Sequence, residues 1–214
     1  MKRFVLVRLD DALPHAEALL STIKGKRKEK ASRFVRVEDQ VRSAIAGMLI
    51  NVYAGRGETK LNDHGRPYFP DGPWFSVSHG GDLIGIYVAD EMVGFDVEAI
   101  DRCDTKIIPA AFTEEEAARI ETQKDFAYAW TRKEAMAKCL GVGIEMPRRF
   151  GVSPFREGQY AYRAQLYFVK SMEFEGHVLC LCQRKSDEFP EMEIVSAEEL
   201  IANYRFERRT KSRT

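Results

Sequence analysis

Residues 75–98 constrain the fold of this chain more than any other stretch. Phe75-Ser76-Val77-Ser78 alternates apolar and polar residues, and Gly80-Gly81-Asp82 signals a turn. Leu83 to Ala89 reads as a second strand, Asp90-Glu91 as a second turn, and Met92 to Glu98 as a third strand, which together predict a β-meander. Alternate side chains of a strand share a face, so Asp96 and Glu98 project together while Phe95 and Val97 face the apolar side. Two carboxylates on one face suit a hard divalent cation. They suit equally the solvated face of a half-buried strand.

A second constellation lies about thirty residues on. Trp130-Thr131-Arg132-Lys133-Glu134-Ala135-Met136-Ala137-Lys138 reads as a helix. Trp130, Glu134 and Lys138 follow at i, i+4 and i+8, which lines an aromatic ring, a carboxylate and an ammonium along one stripe. An exposed Glu134–Lys138 ion pair, with Trp130 joining Phe126, Ala137 and Leu140 in a core stripe, accounts for the same spacing. Combined with the paired acids, the stripe offers three acidic oxygen donors and a cation for phosphate.

With 214 residues and 44% apolar content, the chain is long enough for one large domain or two small ones. Its formal charge is zero, so no whole-molecule field points to nucleic acid, and a nucleic-acid binder would leave the paired acids without a purpose. The basic residues cluster instead: Lys24, Lys26, Arg27, Lys28, Lys30, Arg33 and Arg36 stand against Glu29 alone. Nothing at the N-terminus resembles a signal peptide and no apolar run has membrane-spanning length, so a cytoplasmic protein is expected. The four cysteines fit that expectation: Cys103 and Cys139 are isolated, and Cys180-Leu181-Cys182 lacks ligand spacing.

Along the chain, a strand at Phe4 to Leu9 precedes a helix around 14–24 and another over about 38–53, where Val41, Ile45, Met48, Leu49 and Val52 recur at helical spacing. After the meander, Thr113-Glu114-Glu115-Glu116 has capping-box spacing, and a helix over about 124–140 stops at Gly141-Val142-Gly143. Strands are expected at 160–170 and 174–184, and a capping box at Ser196 to Glu199 opens a helix to about 204. Each half therefore combines helix and strands, an α+β arrangement with a junction near 100–110.

Taken in order, Lys26-Arg27-Lys28-Glu29-Lys30, Arg33-Phe34, Asp39, Arg42-Ser43, Gly65-Arg66-Pro67-Tyr68, Phe75-Ser76-Val77-Ser78-His79, Gly94-Phe95-Asp96-Val97-Glu98 and Trp130 to Gly143 resemble the Sfp-type 4′-phosphopantetheinyl transferases, of the holo-acyl-carrier-protein synthase superfamily. The resemblance spans nearly the whole chain. It implies two pseudo-symmetric halves, each helix plus antiparallel sheet, with the active site at their junction. Residues 1–103 would bind coenzyme A and carry the Asp96-x-Glu98 strand, and 104–214 would carry the Trp130/Glu134/Lys138 helix.

The implied activity is transfer of the 4′-phosphopantetheine arm of coenzyme A to a carrier-protein serine, releasing adenosine 3′,5′-bisphosphate. Asp96, Glu98 and Glu134 look like the family's magnesium ligands, with manganese an alternative. Glu134 is also the candidate general base, directly or through a metal-bound water, and Lys138 resembles the family's pyrophosphate-contacting lysine. By the same pattern Arg27, Lys30 and Ser43 reach the 3′-phosphate end with Arg42 nearby, Arg66 stands near the adenine, and Ser78-His79 is the Ser-His pair whose histidine contacts coenzyme A phosphate. Gly80 departs from the family, where a second serine usually follows. Glu116 is read as a capping residue ahead of a metal ligand.

Acidic acyl, peptidyl or aryl carrier proteins are the implied partners, with candidate docking surfaces between Ile107 and Phe112 and in the loop near the junction of the halves, and fused halves imply a monomer. The basic tail from Arg205 to Thr214 either steers such a partner or is simply solvated. Two other readings remain at this stage. A magnesium-dependent pyrophosphate hydrolase would use the same acids with water, and a non-catalytic module binding coenzyme A or carrier protein would leave them unused.

Overall fold

The computed structural model describes residues 2–55, 59–142 and 157–210. Among the described residues the strands are β1 (Lys2–Arg8), β2 (Lys60–Leu61), β3 (Pro67–Tyr68), β4 (Trp74–Gly80), β5 (Leu83–Ala89), β6 (Val93–Ala99), β7 (Gly158–Tyr162), β8 (Gln165–Phe174), β9 (His177–Arg184) and β10 (Met192–Ile194). The α-helices are α1 (Leu9–Ala12), α2 (Ala16–Thr22), α3 (Lys26–Ala31), α4 (Val37–Leu49), α5 (Ile108–Ala111), α6 (Glu114–Ala117), α7 (Gln123–Leu140) and α8 (Ala197–Thr210).

Two four-stranded sheets stack between two helical layers. The first has the order β10-β1-β5-β4 and the second β6-β9-β8-β7, while β2 and β3 form a separate hairpin. Alternation along the strands explains the layering. Val5, Val7, Ile84, Ile86 and Val88 face Val41, Ile45 and Met48 of α4 and Leu200 and Ile201 of α8. Their neighbours Phe4, Leu6, Leu83 and Tyr87 face Phe95, Val97, Leu179 and Leu181 of the second sheet. The far side of that sheet, through Val169, Cys180 and Cys182, packs on Ala135, Met136 and Cys139 of α7. Burying apolar surface on both faces of β1 and β5 is what permits an α-β-β-α stack.

This is the expected α+β class, built from antiparallel pairs apart from the parallel β1–β10 pair. The expected meander stops at its second turn. Both edges of β5 are occupied, by β1 and by β4, so β6 crosses to the second sheet and pairs with β9. The sheets thereby interlock across position 103/104, because β6 pairs with a late strand while β10 and α8 return to the first core.

Three further segments differ from expectation. The helix at 14–24 starts at Leu9 and is interrupted by a 3-10 turn at Leu13–His15, with Pro14 among its first residues. The strand at 160–170 is a hairpin whose turn residues Arg163 and Ala164 both take positive φ, 47° and 58°. That conformation normally calls for Gly or Asn, so the turn carries no sequence signal. Finally, α8 runs to Thr210 through the basic residues read as a tail. Residue 143 and residues 211–214 lie outside the described set.

Candidate active site

Gly94 sets the geometry of the site. A Cβ there would stand 2.6 Å from Cys139 N and closer still to Ala135 O, so only a glycine lets α7 lie directly on β6. That contact lays the Trp130/Glu134/Lys138 stripe over the Asp96/Glu98 face. The helix itself is fixed at both ends. A capping box opens it, Thr122 Oγ1 accepting from Asp125 N while Asp125 Oδ2 accepts from Thr122 N, and Gly141 closes it with φ of 69°.

On the opposite side β4 lies against β6 without pairing to it. Ser76 Oγ bridges the gap, accepting from Phe95 N at 3.0 Å and donating to Phe95 O at 3.4 Å. Two residues on, Ser78 Oγ donates to Asp96 Oδ1 at 2.7 Å. Lys138 Nζ reaches both, 2.6 Å from Asp96 Oδ1 and 2.9 Å from Ser78 Oγ. Three elements distant in sequence thus meet at Ser78, Asp96 and Lys138.

The carboxylates are held under electrostatic stress. Burial, reinforced by the charge of Asp96, pushes Glu134 up to about 7, with Lys138 opposing the shift. Burial also pushes Glu98 up to about 7, again reinforced by Asp96 and opposed by a hydrogen bond from Trp130 and by Lys138. Asp96 Oδ2 and Glu134 Oε1 are buried with no hydrogen-bond partner. Orphaned anionic oxygens in a cluster of acids are the chemistry a divalent cation satisfies, so the residues present fit such an ion. Among the described residues, however, no three acids, histidines or cysteines converge into a coordination shell. Asp96 is instead paired with Lys138, and Glu98 takes a hydrogen bond from Trp130.

Beside this cluster lies a cavity of about 300 Å³ lined by Arg27, Lys30, Arg42, Ser43 and His79, five of the residues expected to hold coenzyme A. Ser43 Oγ is buried there without a partner. Desolvation lowers the affinity of Arg27 for its proton, and Arg42 is braced by Asp39 at 2.8 Å and by Gly81 O at 3.0 Å. His79 stands at the rim. Crowding by surrounding protein, then Arg42 and Lys138, lowers its pKa and favours the neutral ring. A neighbouring cavity of about 290 Å³ reaches Glu134 and Lys138 and shares Ile50, Pro67 and Val77 with the first. Arg66 lines it, but its guanidinium is engaged by backbone carbonyls of Cys139, Phe75 and Val93. Gly80, at the position where the resembled family usually carries a second serine, would put a Cβ 2.9 Å from the Val97 carbonyl carbon. The close passage of β6 leaves no room for a side chain.

Sequence reasoning assigned no role to Lys133, and its charge gave no sign of burial. It is buried on α7, with Nζ donating to Glu116 Oε2 at 2.5 Å and to Ala111 O at 3.1 Å, 4.6 Å from the Phe112 ring. Glu116 also completes the capping box, accepting from Thr113 N at 2.9 Å. Those two contacts account for Glu116 as a brace between α6 and α7. Ser76 reads in the sequence only as part of a strand; that a serine bridges two unpaired strands has no local signal.

Comparison with known proteins follows the same geography. A family model described as the 4′-phosphopantetheinyl transferase superfamily matches residues 92–182, which run from the β6 acids through α7 to β9. The 4′-phosphopantetheinyl transferase ffp of Bacillus subtilis is 26% identical over 210 residues, covering 86% of this chain and 92% of that protein. The 4′-phosphopantetheinyl transferase AcpT of Salmonella typhi is 36% identical over 95 residues, covering 39% of this chain and half of that protein. The matched segment holds the acids and the helix of the candidate site, and the Bacillus subtilis relative aligns over most of its length, so the chain is similar to the 4′-phosphopantetheinyl transferases both at this site and along most of its sequence.

Proposed function

We propose that the protein moves the 4′-phosphopantetheine arm of coenzyme A onto a serine of an acyl, peptidyl or aryl carrier protein. The observation that supports it best is the meeting of Ser78, Asp96, Lys138 and Glu134 beside a cation-lined cavity. In this reading Arg27, Lys30, Arg42, Ser43 and His79 bind the phosphates of the adenosine end, with most of the first half contributing this subsite. Lys138 lies over the pyrophosphate and offsets charge as the leaving group departs. The carrier serine Oγ bonds to the β-phosphorus, the bond from that phosphorus to the bridging oxygen breaks, and adenosine 3′,5′-bisphosphate leaves.

Glu134 is the candidate base for the serine proton, directly or through a water; without a metal, burial and Asp96 raise its pKa to about 7. Asp96, Glu98 and Glu134 would hold a magnesium or manganese ion, which when bound supplies Lewis-acid neutralisation of the pyrophosphate oxygens. The carrier would dock along 107–112, where Ile107 and Ile108 are half-buried beside the Phe112 cluster. The protein would act as a cytoplasmic monomer. Among the described residues no helix is long and apolar enough to cross a membrane.

Intact-protein mass spectrometry of several apo carrier proteins incubated with coenzyme A, magnesium and this protein tests the reading. A metal-dependent gain of one phosphopantetheine is expected. Coenzyme A breakdown with every carrier unmodified would replace the transferase by a hydrolase.

A further inference from the structure

The β2–β3 hairpin presents two side chains to the end of α7. Its turn is rigid: Asn62 Oδ1 accepts from His64 N at 3.0 Å and Arg66 N at 2.9 Å, and Asn62 N donates to Arg66 O at 3.0 Å. From this turn Asn62 Nδ2 donates to Gly141 O at 2.7 Å and Arg66 Nη1 to Cys139 O at 3.0 Å. Both acceptors belong to the carbonyls a helix leaves unpaired at its C-terminus, where a cation also complements the helix dipole. Arg66 Nη2 donates in addition to Phe75 O on β4 at 3.3 Å and to Val93 O on β6 at 2.9 Å. The guanidinium stacks 5.3 Å from the Trp74 ring.

One planar fork therefore ties together α7, β4 and β6. These are the elements whose side chains meet at Lys138, Ser78 and Asp96. Each tie falls close to its site residue in sequence: Cys139 adjoins Lys138, Phe75 precedes Ser78 by three, and Val93 precedes Asp96 by three. We infer that Arg66 is a positioning residue that holds the Lys138 turn of α7 in register with Ser78 and Asp96, and that it is not a direct contact for coenzyme A. A lysine, with one rotatable ammonium, cannot span three carbonyls in a plane.

The inference rests on the transferase reading for its kinetic arm and on structure alone for its other arm. Arg66→Lys and Arg66→Met in the full chain are compared by amide hydrogen exchange at Gly141 and Val142, whose N–H groups bond Lys138 O and Ala137 O at 3.2 and 3.1 Å. Release of the tie is expected to speed exchange there roughly tenfold or more, with the α4 amides unchanged. Carrier modification should lose on the order of 100-fold in kcat, while KM for coenzyme A stays within about twofold. In a Lys138→Ala background the same Arg66→Lys change should cost under about threefold, because the two residues act in series.

Unchanged exchange overturns the tie. A raised KM for coenzyme A at preserved kcat overturns the positioning role in favour of direct binding. A lower melting temperature with kcat intact below it reduces Arg66 to a purely structural residue and overturns it too. If the wild-type protein modifies no carrier, it is the transferase reading that fails, and the exchange arm alone decides whether Arg66 holds the helix.

Discussion

Replacing Gly94 by alanine probes the contact on which the site depends. The added Cβ would lie 2.6 Å from Cys139 N, whereas ordinary contact begins near 3.4 Å, so α7 must retreat by about 0.8 Å or more. The obstacle is backbone on a helix packed against two strands, so no rotamer change relieves it. Overpacking of this kind costs about 1–3 kcal/mol, and a backbone obstacle puts the value near the upper end, about 3 kcal/mol. For a chain of this size each kcal/mol lowers the melting temperature by about 2–4 °C, giving a fall of about 6–12 °C.

The catalytic effect is larger. The Lys138–Asp96 bond of 2.6 Å spans the same gap, and a displacement near 1 Å from productive geometry costs on the order of 100-fold in rate. Thermal unfolding by circular dichroism and kcat for carrier modification read the two effects. A variant that melts within about 2 °C of wild type and keeps its kcat would refute the argument that glycine is required for the α7–β6 approach.

The matched change Gly47→Ala should behave oppositely: its Cβ meets the flexible side chain of Arg27, 2.6 Å from Cδ, so stability holds or rises by up to about 1 kcal/mol while KM for coenzyme A increases, both read on the purified protein. Lys133→Met should cost about 3–5 kcal/mol in urea unfolding, because it strands the Glu116 carboxylate that the buried ammonium now pairs; equal stability would deny the brace. Glu134 should make stability depend on pH. Its folded-state value of about 7 exceeds the unfolded carboxylate's, so the folded protein keeps a proton that the unfolded chain has lost, and metal-free stability falls as pH rises from about 4.5 to 7. Glu98, also raised to about 7, adds to the same slope, so Glu134→Gln should remove only the Glu134 share of it and exceed wild type by on the order of 2–3 kcal/mol at pH 8 but not at pH 4.5, by urea titration at both. Asp96→Ala should abolish transfer with the fold kept, and a fully active variant would remove Asp96 from the site.

Much of the candidate site's arrangement was legible because its side chains obey local periodicity. Asp96 and Glu98 share a face by the two-residue repeat of a strand, and Trp130, Glu134 and Lys138 share a stripe by the helical repeat. The α7 boundaries were legible at Gly141 for the same kind of reason, since only a left-handed cap suits that position. Arg66 illustrates the limit. A basic residue in a Gly-Arg-Pro turn reads the same whether its charge meets a phosphate or three carbonyls, and the choice depends on α7, β4 and β6 arriving together.

The α+β class, most of the strands and helices, and the charged side chains of the candidate site can be read from the chain alone, because these follow from alternation, capping and charge within a short window. That β6 leaves its meander for the second sheet emerges only in the folded molecule, since it depends on β1 occupying the edge of β5 from some eighty residues away. The tertiary fold also decides that Lys133 and Arg66 face inward, that Ser76 bridges two unpaired strands, and that Lys138 rests on Asp96. Each of these is a contact between distant segments, and its energy arises from burial and pairing that no single stretch of chain contains.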